Sequence, residues 1–137
     1  MQIGFYKDGN LLKIEEYEGL TSDILLPTLS KILEEYEIKK IIYTNGPGSH
    51  MATKITFVLL RTLEIIRSIP IYSVSAFELN GNKPIKALGK LYFIKEKENI
   101  ITKRFDKEPQ SSFFMPKYLS DLTISKDIEP AYKIAAV

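Results

Sequence analysis

The chain of 137 residues contains no cysteine and only one histidine, His50. The absence of thiols excludes disulfide bonds, thiolate nucleophiles and thiolate zinc ligands. One histidine cannot supply the several imidazole ligands of a typical catalytic zinc centre. Catalysis by His50 would need an oriented acidic partner, and no Asp or Glu lies within ten residues on either side. We therefore expect no catalytic residue, no metal and no cofactor.

The sequence also lacks a large excess of either positive or negative charge, and it has no long uninterrupted hydrophobic run. The 19 basic and 17 acidic residues leave a net charge of +2, too small to predict a protein that wraps nucleic acid. The most apolar stretch, residues 55–69, is interrupted by six polar or charged residues and is not expected to span a bilayer. The N-terminus does not have the pattern of a signal peptide. We expect a cytoplasmic protein with no membrane contact.

The residues present are sufficient for one folded domain, which we expect to span residues 1–137. The turn signal Asp8-Gly9 predicts an opening β-hairpin. A first helix is predicted after Gly19, with Thr21 or Ser22 as its N-cap and Pro27 near its first turn. Its apolar positions form one stripe: Leu25, Leu29, Ile32, Leu33 and Tyr36.

A second helix is predicted over residues 51–68, between β-branched runs at residues 38–45 and 71–74. This order predicts a parallel strand pair joined through the helix, and hence an α/β fold with a mixed sheet and two long helices. Residues 85–94 and 100–105 predict a further hairpin, and residues 106–137 an irregular tail packed on the domain. The second helix has an apolar stripe at Met51, Ile55, Val58, Leu59, Leu63 and Ile66, which Phe57, Leu60 and Ile65 widen.

The loop before the second helix is rich in glycine, with the sequence NGPGSHMATK at residues 45–54. Backbone N–H groups at such a helix start can bind an anion, which makes Gly46, Gly48 and Ser49 a candidate site. The spacing matches neither a Walker loop nor a dinucleotide fingerprint. In the alternative interpretation the loop is a plain connection, where Gly48 supplies a positive φ and Ser49 caps the helix.

Residues 46–49 read GPGS, an apolar helix is predicted after them, and residues 69–78 read IPIYSVSAFE. In this order the three segments resemble the TsaB family, also called YeaZ, in which a GPGS motif, an apolar helix and the sequence IPLVGVSSLE follow one another. Members of that family act in bacterial threonylcarbamoyladenosine modification of tRNA. Residues 4–10, 23–29 and 128–132 are similar to further family segments. The resemblance implies an actin-like, ribonuclease-H-like lobe.

The chain also departs from the family pattern. The family's opening strand with Asp-Thr-Ser has no counterpart, and the residues after Phe105 are too few for a second lobe, so a short, one-lobed member is expected. Residues 50–54 differ from the family's loop continuation. A glycoprotease-like hydrolase is the weaker hypothesis. The metal-binding paralogue of the family uses a pair of histidines as metal ligands, and this chain has only one histidine.

The resemblance implies a non-catalytic scaffold subunit that pairs with a TsaD-like catalytic subunit, contacts tRNA only indirectly and forms a homodimer when alone. A TsaE-like ATPase is a further candidate partner. The width of the second helix's apolar face supports an interaction surface, unless the sheet and first helix cover it entirely. The expected interface residues are Leu29, Ile32, Leu33, Met51, Ile55, Phe57, Val58, Leu59 and Leu63.

Two other binding functions stay open. A nucleotide-binding module would use the Gly46–Ser49 loop, although the expected absence of a second lobe argues against a closed cleft. Direct tRNA binding would use lysines of the later strands, which Glu96, Glu98 and Asp106 partly neutralise. Those basic residues are Lys83, Lys86, Lys90, Lys95, Lys97, Lys103 and Arg104.

Overall fold

A computed structural model describes residues 1–97 and 99–130 of the chain. The main elements are β1 (Gln2–Lys7), β2 (Asn10–Glu16), α1 (Thr21–Glu35), β3 (Ile41–Thr44), α2 (His50–Arg67), β4 (Ile71–Val74), β5 (Ile85–Leu88), β6 (Leu91–Glu96) and β7 (Asn99–Arg104). Two short 3-10 helices lie at Ala76–Leu79 and Leu119–Asp121. The α/β class predicted from the sequence is confirmed.

The strands form three separate sheets in the described residues, so the prediction of a single mixed sheet is wrong. β1 pairs with β2, β3 with β4, and β5, β6 and β7 form a three-stranded sheet. Two strand edges are occupied by the C-terminal segment instead of by a neighbouring sheet. Asn10 of β2 forms a bridge with Tyr118, and Ser73 of β4 forms one with Ser125.

The opening hairpin has the predicted tight turn. Asp8 and Gly9 both have positive φ, 53° and 82°, the pair of left-handed conformations that a two-residue hairpin turn requires. The β1–β2 register runs antiparallel from Gln2 opposite Glu16 to Lys7 opposite Asn10, with one irregularity. The hairpin is therefore specified by a local signal at its turn.

Helix α1 begins without a side-chain cap, and the predicted cap at Thr21 or Ser22 is wrong. Both residues already lie inside the helix, and the N-cap is Leu20, whose carbonyl accepts the backbone N–H groups of Asp23 and Ile24. Pro27 lies within α1, where it cannot donate to the carbonyl four residues earlier. The helix is held mainly by its buried face.

The β3–α2–β4 unit has the order of elements and the parallel strand direction that the sequence predicts. β3 and β4 are parallel, in register from Ile41 opposite Ile71 to Thr44 opposite Val74, although β3 is shorter than the predicted 38–45. α2 begins and ends one residue earlier than predicted, and its last residue, Arg67, is followed by the C-cap Ser68, whose φ is 54°. The core around this unit consists of Tyr43, Leu60, Ile69, Ile71 and Ile128, against which residues of both helices pack.

The predicted strand at residues 85–94 is two strands, because the chain turns at Gly89, which has a φ of 58°. β6 and β7 form the expected hairpin, in register from Leu91 opposite Arg104 to Glu96 opposite Asn99. Residues on one side of this sheet form a second core with the first 3-10 helix: Ala76, Phe77, Ile85 and Phe93.

The segment after Phe105 is irregular between residues 106 and 130 except for its short 3-10 helix. It contacts β2 through Tyr118 and β4 through Ser125. The rest of the predicted tail, including Ala131 and Tyr132 of the family-like ending, lies outside the described residues.

Candidate interaction site

The Gly46–Ser49 loop connects β3 to α2 and is anchored to the neighbouring strand. The Asn45 N–H donates to the Val74 carbonyl at 3.2 Å, and the Ala76 N–H donates to the Gly46 carbonyl at 3.0 Å. The left-handed residue is Gly46, with a φ of 111°, so the assignment of that conformation to Gly48 is wrong. The contact with Ala76 fixes the path of the chain at Gly46.

Ser49 caps α2, as the plain-connection interpretation predicts. Its hydroxyl accepts the Ala52 N–H at 3.4 Å, and its carbonyl accepts the Thr53 N–H at 3.0 Å. One of the N–H groups that are free at a helix start, that of Ala52, is therefore already bound, while the Thr53 bond is the first ordinary bond of the helix. His50, the first residue of the helix, is exposed.

The outward side of α2 carries a row of exposed apolar side chains, which we call the α2 stripe: Met51, Val58, Ile65 and Ile66. Their exposed fractions are 68%, 55%, 74% and 70%. Met51, Val58 and Ile65 are spaced by seven residues, so they lie close to one line along the helix, over about 21 Å. Exposed apolar residues concentrated in this way are typical of an interaction surface.

The opposite side of α2 faces the core. Leu60 is 2% exposed, and Phe57 and Leu63 pack against the same core cluster. Leu60 follows Val58 by two residues, which places it about 200° around the helix. The helix is thus apolar on two faces, of which only one is covered by residues 1–97 and 99–130.

The structure separates the nine residues expected at the interface into core and surface. Ile32 is buried, and Leu29, Leu33, Phe57 and Leu63 pack partly buried against the core. Ile55 and Leu59 are half-buried. Met51 and Val58 are exposed and belong to the α2 stripe.

Ile65 and Ile66 were not among the expected interface residues, although they are the two most exposed apolar residues of α2. The sequence contained a signal for them, because Ile65 continues the seven-residue spacing of Met51 and Val58. The spacing alone could not identify Ile65 as exposed, because the sequence does not show which face of the helix is buried.

Polar groups near the α2 stripe have partners inside the helix. The Thr62 hydroxyl donates to the Val58 carbonyl at 2.8 Å, so its proton needs no other acceptor. Arg61 pairs with Glu64 at 2.8 Å and lies over the Phe57 ring at 5.7 Å. A partner could cover this surface without leaving the Thr62 donor unsatisfied.

The parts of the chain that the structure describes contain no group of three histidine, aspartate or glutamate residues placed to hold a metal ion. No described helix is both long and apolar enough to cross a bilayer. No protein-family model, no curated protein and no solved structure matches the chain.

Proposed function

We propose that this protein is a cytoplasmic, non-catalytic scaffold subunit of bacterial tRNA threonylcarbamoyladenosine modification. In this proposal its fold is a single actin-like, ribonuclease-H-like lobe, and its α2 stripe pairs with a TsaD-like catalytic subunit. The family resemblance of residues 46–49 and 69–78 supports the choice of pathway. The observation that carries the pairing is the α2 stripe, whose apolar side chains are uncovered by the described chain.

The stripe has the geometry of a helix-packing surface. Seven-residue spacing of apolar side chains is typical of helices that pack at about 20° along their length. Burying such side chains contributes roughly 25 cal/mol per Å² of apolar surface. A second helix laid along α2 would therefore gain most where Met51, Ile65 and Ile66 are covered, because they are more exposed than Val58.

The same stripe can pair with a second copy of the chain. A two-fold dimer places the same surface on both partners, so each α2 would cover the other. A homodimer and a complex with the catalytic subunit would then compete for one surface. We expect the catalytic subunit to convert the homodimer into a one-to-one complex.

The test is titration calorimetry of the protein into a TsaD-like subunit, with stripe variants. Val58→Glu and Ile65→Glu each place a charge in the proposed interface and should weaken binding at least tenfold, because an unpaired charge buried there is costly. Leu88→Glu on β5 is the matched control, since Leu88 is 77% exposed and lies outside the stripe. Equal binding by the stripe and control variants would refute the proposal, as would a lack of binding by the unmodified protein.

A further inference from the structure

An open groove of about 470 Å³ lies where the turn after the first 3-10 helix meets the C-terminal segment. It is lined by Lys83 from the turn and by residues 108–112 from the segment. Its volume falls within the range of small-molecule sites, roughly 300–1,000 Å³. The groove is therefore large enough for a small ligand, and it shares no residue with the α2 stripe.

The two walls of the groove are joined by hydrogen bonds. Asn80, which is 2% exposed, donates from Nδ2 to the Lys83 carbonyl at 2.9 Å and to the Ser111 hydroxyl at 3.2 Å. Three residues after Ser111, the Phe114 N–H donates to the Leu79 carbonyl at 2.9 Å. The irregular wall is thus anchored to a buried side chain and to the end of the 3-10 helix.

The Asn80 bonds also determine what the Ser111 hydroxyl can do. Only an N–H group can donate to the Lys83 carbonyl, so the amide nitrogen of Asn80, and not its oxygen, lies on this side. That nitrogen has no lone pair to offer, and the Ser111 oxygen must therefore accept from it. The proton of the Ser111 hydroxyl remains available to donate to an acceptor on a ligand.

Lys83 and Glu108 place opposite charges on this one groove. Both are exposed, and neither forms an ion pair within residues 1–97 and 99–130. A ligand that carries only negative charge would be repelled by Glu108, and one that carries only positive charge would be repelled by Lys83. The pair of charges therefore favours a small ligand that carries a carboxylate and an ammonium close together.

We infer that this groove binds a free α-amino acid. The carboxylate of the amino acid pairs with the Lys83 ammonium and accepts the Ser111 hydroxyl proton, and its ammonium pairs with the Glu108 carboxylate. A free amino acid carries both groups on one carbon, whereas a peptide bond removes one or both of them. This goes beyond the proposed function, which includes no small-molecule ligand. Failure of amino-acid binding would leave the pairing proposal intact, and failure of pairing would leave this one.

The experiment titrates L-alanine into the full chain and follows amide chemical shifts by NMR. Propionate and ethylammonium are the comparison ligands, because each keeps the carbon skeleton of alanine and only one of its charged groups. Alanine should produce saturable shifts at the backbone amides of Lys83, Gln110 and Ser111 and at the Asn80 side-chain amide, with a millimolar dissociation constant. Propionate and ethylammonium should each bind about fivefold more weakly, the upper end for the loss of one exposed charge pair.

Two variants assign the charges of the ligand to their partners. Lys83→Gln should weaken alanine binding about fivefold and remove most of the preference for alanine over ethylammonium, while Glu108→Gln should do the same for the preference over propionate. The matched controls Lys7→Gln and Glu18→Gln remove the same charges from exposed residues elsewhere and should change the affinity less than twofold. Equal weakening by the controls would overturn the inference. So would the absence of saturable shifts, or binding of propionate or ethylammonium as tight as that of alanine.

Discussion

The phenol hydroxyl of Tyr43 on β3 donates a hydrogen bond to the backbone carbonyl of Ile128, 85 residues later in the chain. Ile128 is 3% exposed and belongs to the core around α2. Nearby, Ser73 and Ser125 exchange two backbone hydrogen bonds of 2.9 Å each. The C-terminal segment therefore completes the core beside the β3–β4 sheet.

Removing either side of the Tyr43–Ile128 contact should destabilise the protein. Tyr43→Phe leaves a buried carbonyl without this donor and should cost about 1–2 kcal/mol. Ile128→Ala should cost about 2–5 kcal/mol, as for other large aliphatic core residues. Urea unfolding measures both, and Tyr118→Phe, at an exposed tyrosine, is the control. If Ile128→Ala had the stability of the unmodified protein, the C-terminal segment would not be part of the core.

The two faces of α2 should respond differently to truncation. Leu60→Ala should lower the free energy of unfolding by about 2–5 kcal/mol, because it opens a cavity in the core. Val58→Ala in the α2 stripe should change it by less than about 0.5 kcal/mol in the monomer, since most of this side chain is already exposed. Urea unfolding at low protein concentration compares the two variants. If Val58→Ala lowered the free energy of unfolding more than Leu60→Ala does, Val58 and not Leu60 would face the core.

An N-cap residue whose side chain accepts a hydrogen bond should stabilise α1. Leu20 is exposed and occupies the N-cap without a side-chain hydrogen bond. Leu20→Asp supplies an acceptor for the free N–H groups and should add about 1 kcal/mol. Thermal unfolding gives the readout, and Leu12→Asp on β2 is the control for replacing an exposed leucine. If both variants were destabilised alike, α1 would not begin at Thr21.

Acid should weaken the first hairpin through Glu15. The Tyr17 hydroxyl donates to the Glu15 carboxylate, the ammonium of Lys13 lies 2.9 Å from it, and both hold the pKa of Glu15 below its ordinary value. A carboxylate with a lowered pKa contributes stability that is complete above the unfolded pKa of about 4.3 and is lost as the pH falls through the folded pKa. Glu15→Gln should therefore lower the melting temperature at pH 7 and flatten its decline below pH 4.

The effect is expected to be small, because Glu15 is close to solvent. The control is Glu18→Gln, an exposed residue of the following loop. Melting temperatures recorded from pH 7 to pH 2.5 provide the comparison. Identical pH profiles for Glu15→Gln and the unmodified protein would show that these contacts contribute nothing in solution.

Features specified by neighbouring residues could be predicted from the sequence. Asp8-Gly9 fixes the first turn, and the order of strand, glycine loop and helix before Pro70 predicts the parallel pair. The sequence could not predict which face of α2 is buried, because apolar residues lie on both faces. Leu60 lies on the covered face and Val58 on the exposed one. The bridges that Tyr118 and Ser125 form with two strands could not be predicted either, because both residues belong to a segment without strand periodicity and pair far back along the chain.

The interaction site was predicted only in part, because the sequence does not show which face of each helix is buried. Met51 and Val58 were expected at an interface, yet five of the other residues expected there are needed for the core. Ile65 and Ile66 complete the α2 stripe only once the position of Leu60 shows which face is covered.

The central claim is that the α2 stripe is a pairing surface, and the mass in solution tests it most directly. Light scattering at near-physiological salt should give twice the chain mass for the unmodified protein and the chain mass for Ile65→Glu. Addition of a TsaD-like subunit should convert the homodimer to a one-to-one complex. A monomer at high concentration that does not bind the TsaD-like subunit would contradict the account.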